Sequence, residues 1–195
     1  MKKNKISVVV AFLVMAAATF ITGCTQSGNA SKLQAKVDSL ENELKMYRDE
    51  KALTEMRLVK FDSLDFEMYN KQDWNKFSTN HAENIKVYYP DGTITEGLYP
   101  QHIDMLKPMF VYAPDTKITG HPVKFGSGDW TCVIGEMEGT FSKPMPIGDG
   151  KTIPPTNKKF KLSMATVGHW KDGKMIEEYL FWDNQSFMKQ VGLAK

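Results

Sequence analysis

Two acidic side chains sit at unexpected positions in a β-hairpin predicted near the C-terminus. Asp172-Gly173 is a two-residue turn signal, because a type I′ turn needs positive φ at both central positions. If the strands pair outward from this turn, every second residue shares one face of the sheet. The more apolar face then carries Glu177 and Asp183, where burying a carboxylate is costly. This mismatch favours a functional role for the two carboxylates.

The rest of the chain provides the elements that position this hairpin. Helical patterns cover 53–69 and 72–78, and a further helix begins after Tyr99-Pro100. Strand patterns cover 84–89, 116–125 and 130–141, and a short helix follows the hairpin at 184–191. This order, with helices first and four antiparallel strands last, predicts an α+β fold in which helices pack against one side of a curved sheet.

The first 23 residues have the pattern of a secretory signal peptide. Three lysines precede an apolar run at 6–21, and small residues then lead to Cys24. This ending resembles the lipobox of bacterial lipoproteins, which implies that Cys24 carries lipid and becomes the mature N-terminus. An uncleaved anchor is the alternative, but the apolar run is short for a spanning helix. We therefore expect a tether at 24–31 and a lipid-anchored protein of the cell envelope, on the outer membrane facing the periplasm.

A short apolar seam follows the tether. Its members are spaced alternately by four and three residues, as in a coiled coil, and are Leu33, Val37, Leu40, Leu44 and Tyr47. The seam spans about two heptads, fewer than the three or four that normally indicate a coiled coil. Two interpretations stay open, an oligomerising helical stalk over 32–52 and a polar helix docked on its own domain. We favour the stalk, which leaves 53–195 as the globular domain.

Charge, cysteine and histidine content argue against several classes of protein. The formal net charge of +2 includes three signal-peptide lysines, so the mature chain is nearly neutral and no nucleic-acid partner is expected. Cys132 lies in an apolar strand, where a free cysteine usually packs as a small hydrophobe, although a lone thiol in an exported protein is sometimes reactive. The four histidines are scattered without a close ligand pair, so we expect no metal site.

Several motifs, taken in order, resemble the SnoaL-like polyketide cyclases of the nuclear-transport-factor-2-like superfamily. The motifs are Gly139-Thr140-Phe141, Ile153-Pro154-Pro155-Thr156, the run 171–178, Phe181-Trp182-Asp183 and the run 188–193. The resemblance covers 53–193, although Asn157 stands where family members often have glycine. It implies a cone in which a curved antiparallel sheet wraps around N-terminal helices.

The resemblance also implies a catalytic role for Asp183. Enzymes of this family close a ring by intramolecular aldol condensation without cofactor or metal, and an aspartate at the end of the last strand moves the proton. A carboxylate desolvated at this position would have a raised pKa, which suits general acid–base catalysis. The alternative is that Asp183 caps the helix beginning near Asn184, since Asp is a favoured N-cap residue.

Other side chains near the predicted site are candidates for contact with a ligand. They are Tyr179, Thr166, Glu177, His81, His169 and Trp74. Tyr179 either donates a hydrogen bond to a ligand or packs in the core. His169 lies on the opposite face from Asp183 unless a bulge turns it inward. Each histidine has the alternative of being a half-exposed surface residue.

These observations predict a lipid-anchored domain with an apolar pocket for a small hydrophobic molecule. Whether the molecule is turned over stays open, because this fold hosts many functions. The leading interpretation is cyclase, isomerase or hydrolase chemistry; the alternatives are a non-catalytic ligand-binding lipoprotein and a structural oligomerisation module. We also expect a homodimer through the outer face of the sheet, where Ile176, Leu180 and Trp182 form an apolar stripe, aided by the seam.

Overall fold

The structure, a computed structural model, describes the backbone of residues 4–195 and the side chains of residues 28–195. The predicted signal peptide at 1–23 and the predicted lipid site at Cys24 therefore lie outside the residues with described side chains. The chain divides into two units, one ending at Asp49 and one running from Glu50 to Lys195. In the part of the chain that is described, no helix has a stretch long and apolar enough to cross a membrane.

Helix α1 runs from Asn4 to Ser63, so the segment predicted as a tether, 24–31, lies within it. Residues 28–50 of this helix are exposed. The apolar seam shares this exposure, with 65% of Leu33 and 66% of Tyr47 accessible to solvent. A contiguous apolar seam that is exposed to solvent is unusual on a soluble protein and often marks an interaction surface.

Short helical segments follow α1 and cover one face of the sheet. They are a π-helical turn at Leu64–Tyr69, a 3₁₀ turn at Trp74–Thr79, a second π-helical turn at Leu98–His102, α2 at Ile103–Tyr112 and α3 at Asn184–Gln190. Leu64, Phe77 and Phe110 are among the side chains that these segments bury. Burying each such side chain contributes about 1.5–3 kcal/mol, which stabilises helices too short to persist alone.

Six strands form the main sheet. They are β1 (His81–Tyr88), β2 (Ile94–Glu96), β3 (Lys117–Ser127), β4 (Trp130–Thr140), β7 (Lys159–Lys171) and β8 (Lys174–Phe181); β5 (Met145–Pro146) and β6 (Thr152–Ile153) form a separate small hairpin. The order in the main sheet is β2-β1-β8-β7-β4-β3. All neighbours are antiparallel except β1 and β8, which are parallel. The predicted α+β class is confirmed, but the sheet is mixed, whereas the sequence indicated an antiparallel one.

The inner face of the sheet is the apolar face of β4 and β7. Burial alternates along β4, where Val133 and Met137 are buried and their neighbours are half-exposed. It alternates in the same way along β7, where Phe160 and Leu162 are buried. This alternation is expected where one face of a sheet packs on a core and the other meets solvent.

The C-terminal hairpin begins as predicted and then departs from the predicted register. Lys171 pairs with Lys174 around the Asp172-Gly173 turn, and both turn residues have positive φ. The register then shifts, because His169 pairs with Glu177 and Ile176 is left as the extra residue of a β-bulge.

The bulge reverses the faces of β8, since a slip of one residue moves every following side chain to the other side. Glu178 and Leu180 therefore face the core, and Glu177 and Tyr179 face outward. The predicted cross-strand pairs beyond Met175 are wrong for this reason. The prediction that Ile176, Leu180 and Trp182 form an apolar stripe on the outer face is wrong as well, because Leu180 is only 8% exposed.

Candidate active-site cavity

A cavity of about 300 Å³ is enclosed by the inner face of the sheet and the helices that cover it. Most of its wall is apolar and comes from side chains such as Leu64, Ile118, Met137, Leu162, Leu180 and Phe187. The polar and titratable side chains on the wall are Asp65, Tyr69, His81, Tyr89, Asp91, His102, Tyr112, Thr166, Glu178 and Asn184. An apolar wall with a few convergent polar groups is typical of a small-molecule site.

Asp65 lies in the π-helical turn that follows α1, among the apolar residues Leu64 and Phe66. One of its carboxylate oxygens is 2.8 Å from Nε2 of His121, which comes from β3. The second ring nitrogen of His121 is 2.8 Å from a carboxylate oxygen of Asp62, so the imidazole bridges two acids. Lys124 also contacts Asp62 from the solvent side. The cavity therefore has a carboxyl group that is held in place by a histidine behind it.

Asp65, His121 and Asp62 form a hydrogen-bonded relay, and burial and charge have opposite effects on their pKa values. Burial raises the pKa of Asp65, and the hydrogen bond from His121 offsets only part of that rise. Burial alone would lower the pKa of His121, but its hydrogen bonds to Asp65 and Asp62 raise it overall. Burial would likewise raise the pKa of Asp62, but hydrogen bonds from Lys124 and His121 lower it overall. The pKa of Asp65 is therefore raised, whereas the pKa of Asp62 is lowered.

A second titratable cluster lines the same cavity and joins three chain segments. His81 begins β1, His102 ends the second π-helical turn, and the bulge in β8 turns Glu178 inward. Nε2 of His81 is 3.6 Å from a Glu178 carboxylate oxygen, and Nε2 of His102 is 3.5 Å from the same oxygen. All three residues are at most 4% exposed.

Each imidazole of this cluster also has a partner on its far side. Nδ1 of His102 is 2.8 Å from the hydroxyl of Tyr89, and Nδ1 of His81 is 3.3 Å from the backbone carbonyl of Phe77. Burial lowers the pKa of His102 to about 4, so its ring is neutral near pH 7. Burial would raise the pKa of Glu178, but the two imidazoles beside it lower the pKa overall.

Two of the side chains predicted to bind a ligand reach the cavity. Thr166 and His81 both line its wall. Trp74 instead packs among core aromatic rings, with its ring centroid 5.4 Å from that of Phe77. Tyr179 lies on the outer face of the sheet, stacked on Tyr88 with ring centroids 4.3 Å apart.

The two remaining predicted ligand residues, Glu177 and His169, form a pair on the outer face. Nδ1 of His169 is 2.8 Å from a carboxylate oxygen of Glu177, and its ring stacks on Trp130 with centroids 4.2 Å apart. The bulge is responsible for this placement, because it turns Glu177 outward in exchange for Glu178. The structure therefore does not bring these two residues to the cavity.

Asp183 occupies the N-cap position of α3. Its side chain accepts a hydrogen bond from the backbone N–H of Ser186 at 2.9 Å, and the residue is exposed. It does not line the cavity, although its neighbours Trp182 and Asn184 do. The desolvation expected for Asp183 from the predicted register is therefore missing, and the capping interpretation matches the observed contact.

Sequence reasoning missed Asp65, His121, His102 and Glu178. One signal for Asp65 was available, since it interrupts the apolar helical pattern of Leu64, Phe66 and Met68. Glu177 and Glu178 are adjacent, so a bulge of one residue decides which of them faces the core. No local signal joins His81 to His102, because the fold alone brings these distant residues together.

Solved structures share this fold at low sequence identity. A candidate SnoaL-like polyketide cyclase from Jannaschia sp. CCS1 is 18% identical, with a TM-score of 0.63 over 73% of this chain and 96% of that chain. IdmH, a candidate polyketide cyclase from Streptomyces antibioticus, is 20% identical, with a TM-score of 0.59 over 70% and 98%. A protein with a ketosteroid-isomerase-like fold from Catenulispora acidiphila DSM 44928, solved in complex with trimethylamine, is 14% identical, with a TM-score of 0.54 over 70% and 92%. These likenesses confirm the nuclear-transport-factor-2-like fold.

The family follows from the sequence as well as from the fold. A family model described as SnoaL-like polyketide cyclase matches residues 64–191, which is more than half of the chain. The chain therefore belongs to the SnoaL-like polyketide cyclase family, as its motifs predicted. No curated protein matches the sequence.

Proposed function

We propose that the domain is an acid–base catalyst acting on a small, partly apolar carbonyl compound, and that Asp65 is the group that moves the proton. The observation that carries this proposal is the Asp65 carboxyl in the cavity wall, hydrogen-bonded at 2.8 Å to His121. The predicted pocket for a hydrophobic molecule is part of this proposal, but the residue proposed to transfer the proton is Asp65 in place of Asp183.

The environment of Asp65 suits a proton carrier. A raised pKa brings the basicity of a carboxylate toward the working pH, which is where general acid–base catalysis is most efficient. His121 fixes the orientation of the carboxyl from behind, and Asp62 fixes the orientation of His121. A base held by a second group in this way resembles the arrangement by which other enzymes position their catalytic side chains.

The proposed step keeps atoms and charge in balance. The Asp65 carboxylate removes a proton from the carbon beside a substrate carbonyl, which gives neutral Asp65 and a substrate enolate. In a cyclisation the enolate carbon then forms a bond to a second carbonyl carbon of the same molecule, whose C=O π bond breaks, and the resulting alkoxide takes the proton back from neutral Asp65. In an isomerisation the proton returns to a different carbon. Both outcomes regenerate the Asp65 carboxylate.

A non-catalytic binding protein is the second candidate function. The apolar wall of the cavity supports it as well as it supports an enzyme. The two candidates differ in whether Asp65 exchanges protons with a bound carbon acid.

The test is proton exchange at carbon, which needs no knowledge of the natural substrate. The full chain is incubated in D₂O with a panel of small cyclic ketones, and ¹H NMR follows the loss of the hydrogens beside the carbonyl. We expect the wild type to accelerate this exchange for at least one ketone and Asp65→Asn to lose about 100-fold or more, the scale of general acid–base catalysis. Asp183→Asn is the matched control and is expected to keep the wild-type rate.

Two results would contradict the proposal. One is an Asp65→Asn variant that exchanges protons as fast as the wild type. The other is a ketone that binds in the cavity, as seen by ligand-observed NMR, without any exchange; that result would favour the non-catalytic candidate.

We also propose that the chain is a lipoprotein of the cell envelope, attached through lipid on Cys24 and facing the periplasm from the outer membrane. The signal-peptide pattern of residues 1–23 supports this proposal. Mass spectrometry of the mature N-terminal peptide tests it, together with membrane fractionation of Cys24→Ala. Cys132→Ala is the matched control. A Cys24→Ala variant that stays in the membrane fraction like the control would refute the lipid anchor.

We propose, finally, that two copies of the chain pair along the seam at 33–47. Its support is the exposure of five apolar side chains spaced as in a coiled coil. Sedimentation of the full chain in detergent tests the pairing. Leu40→Glu is expected to give monomers, whereas Ala35→Glu, outside the seam, is expected to leave the dimer intact. A wild-type monomer at micromolar concentration would refute the pairing.

A further inference from the structure

We propose that His81, His102 and Glu178 form a binding site for a divalent transition-metal ion, of the class that takes two imidazole ligands and one carboxylate. One ligand atom from each residue lies within 4.8 Å of the other two. The three side chains are buried, and all of them line the cavity. Two histidines and one carboxylate are the ligand set of several catalytic zinc sites and of non-haem iron sites.

The contacts of His81 leave its Nε2 facing the Glu178 carboxylate. Its Nδ1 faces the carbonyl of Phe77, which can only accept a hydrogen bond, so Nδ1 carries the hydrogen of a neutral ring. Nε2 then presents a lone pair to the carboxylate of Glu178. Among the described residues, neither His81 Nε2 nor Glu178 Oε2 has a hydrogen-bond partner. Two buried acceptors that face each other are unfavourable unless a proton or a metal ion lies between them.

The distances favour a metal ion over a proton. A charge-assisted hydrogen bond between an imidazole nitrogen and a carboxylate oxygen spans about 2.7–2.9 Å. The observed separations are 3.6 Å from His81 and 3.5 Å from His102. Two ligand atoms on one tetrahedral zinc ion lie about 3.3 Å apart, given bonds of about 2.0–2.1 Å. In each of the two histidine–glutamate pairs the atoms are thus too far apart for a strong hydrogen bond and within a few tenths of an ångström of ligand spacing.

The surroundings of the two imidazoles match those of metal ligands. A ligating histidine usually donates its second ring nitrogen to a carbonyl or another acceptor, which fixes the tautomer. His81 has the Phe77 carbonyl in this position, and His102 has the Tyr89 hydroxyl at 2.8 Å, which is able to accept from Nδ1 as well as to donate to it. Both Nε2 atoms are thereby left to face Glu178.

The site lies on the wall of the cavity that also contains Asp65, so a bound ion would be able to polarise a substrate carbonyl there. This role rests on the proposed function, but the metal site itself does not. Metal binding is measured without substrate, and a failure of ketone exchange would leave it standing.

In the experiment, the full chain is first stripped of metal with a chelator. It is then titrated with Co²⁺ and afterwards with Zn²⁺. Co²⁺ is followed by its visible absorption, and Zn²⁺ by displacement of Co²⁺. We expect one ion per chain in the wild type. Glu178→Gln should weaken binding by about 100-fold or more, and Tyr89→Phe, which removes an outer partner, by about 10-fold. Glu177→Gln is the matched control, since it alters the neighbouring acid on the outer face, and it should bind like the wild type.

A second measurement guards against variants that do not fold. In the wild type, Zn²⁺ should raise the melting temperature, because it binds the folded state. It should also shift the imidazole ¹⁵N signals of His81 and His102 and leave those of His169 unchanged. A wild type that binds no ion with one-to-one stoichiometry would overturn the proposal. So would a Glu178→Gln variant that binds as tightly as Glu177→Gln, or Zn²⁺ shifts confined to His169.

Discussion

Replacing His121 by glutamine tests whether the relay behind Asp65 is held by charge. His121 bridges Asp65 and Asp62 at 2.8 Å on each side, and its side chain is only 2% exposed. Two ionised carboxylates can only accept hydrogen bonds, so both ring nitrogens must donate, and the ring is then an imidazolium. Glutamine keeps a donor of similar length but has no charge.

The sign of the pH dependence follows from the pKa of His121, which is raised in the folded state. A histidine with a raised folded pKa stabilises the fold fully below its unfolded pKa of about 6.5. That contribution is lost as the pH rises through the higher folded value. The free energy of unfolding of the wild type should therefore contain a component that falls with rising pH above about 6.5.

The magnitude follows from the contacts. Each hydrogen bond to a charged partner contributes about 1.5–3 kcal/mol, and less where the partner is wet. Asp65 is largely buried, whereas 29% of the Asp62 side chain is exposed. We therefore expect His121→Gln to lower the free energy of unfolding by roughly 2–4 kcal/mol at pH 6. The loss should shrink toward pH 9, with a slope of at most about 1.4 kcal/mol per pH unit for one proton.

The assay is urea unfolding of the wild type and the variant at several pH values between 6 and 9. His169→Gln serves as the control, because it removes a histidine from the outer face, where the pair with Glu177 is partly exposed. The reasoning would be refuted if the difference between the wild type and His121→Gln were constant across this range, or if it grew with pH.

The remaining predictions concern the cap and the hairpin. Asp183→Ala should lower the free energy of unfolding by about 1 kcal/mol, because it removes the N-cap of α3, whereas Asp183→Asn should change it by a few tenths of a kcal/mol at most. Urea unfolding measures both effects, and a stabilised Ala variant would mean that Asp183 is not a cap. Gly168→Ala should cost about 1–3 kcal/mol by overpacking, since a Cβ there would lie 2.7 Å from Met175 Sδ and 3.1 Å from Trp170 Nε1; a melting temperature equal to that of the wild type would contradict this packing.

The sequence predicted the parts of the fold that depend on local patterns. The Asp172-Gly173 turn is fixed by the φ angles that its two residues adopt, and it was found where expected. The α+β class and the family also followed from the order of motifs. The N-cap role of Asp183 is one of the two that its residue type and position predict, and it is the one observed.

The candidate site could not be predicted in the same way, because it depends on the bulge and on tertiary packing. Whether Glu177 or Glu178 faces the core is decided by Ile176, the extra residue, and nothing in the local pattern requires a bulge there. His81 comes near Glu178 because β1 pairs in parallel with β8, a contact between distant parts of the chain. Asp65 lies in a π-helical turn, which shifts its direction relative to a regular helix.

The most direct test of the account is a carboxyl ¹³C NMR titration that compares Asp65 with Asp62. The central claim is that the cavity holds a desolvated carboxyl with raised basicity, supported from behind by a charged relay. The account predicts that the pKa of Asp65 lies above the ordinary value of 3.8 and that the pKa of Asp62 lies below it. A pKa of Asp65 at or below that of Asp62 would contradict the claim and remove Asp65 as the proton carrier.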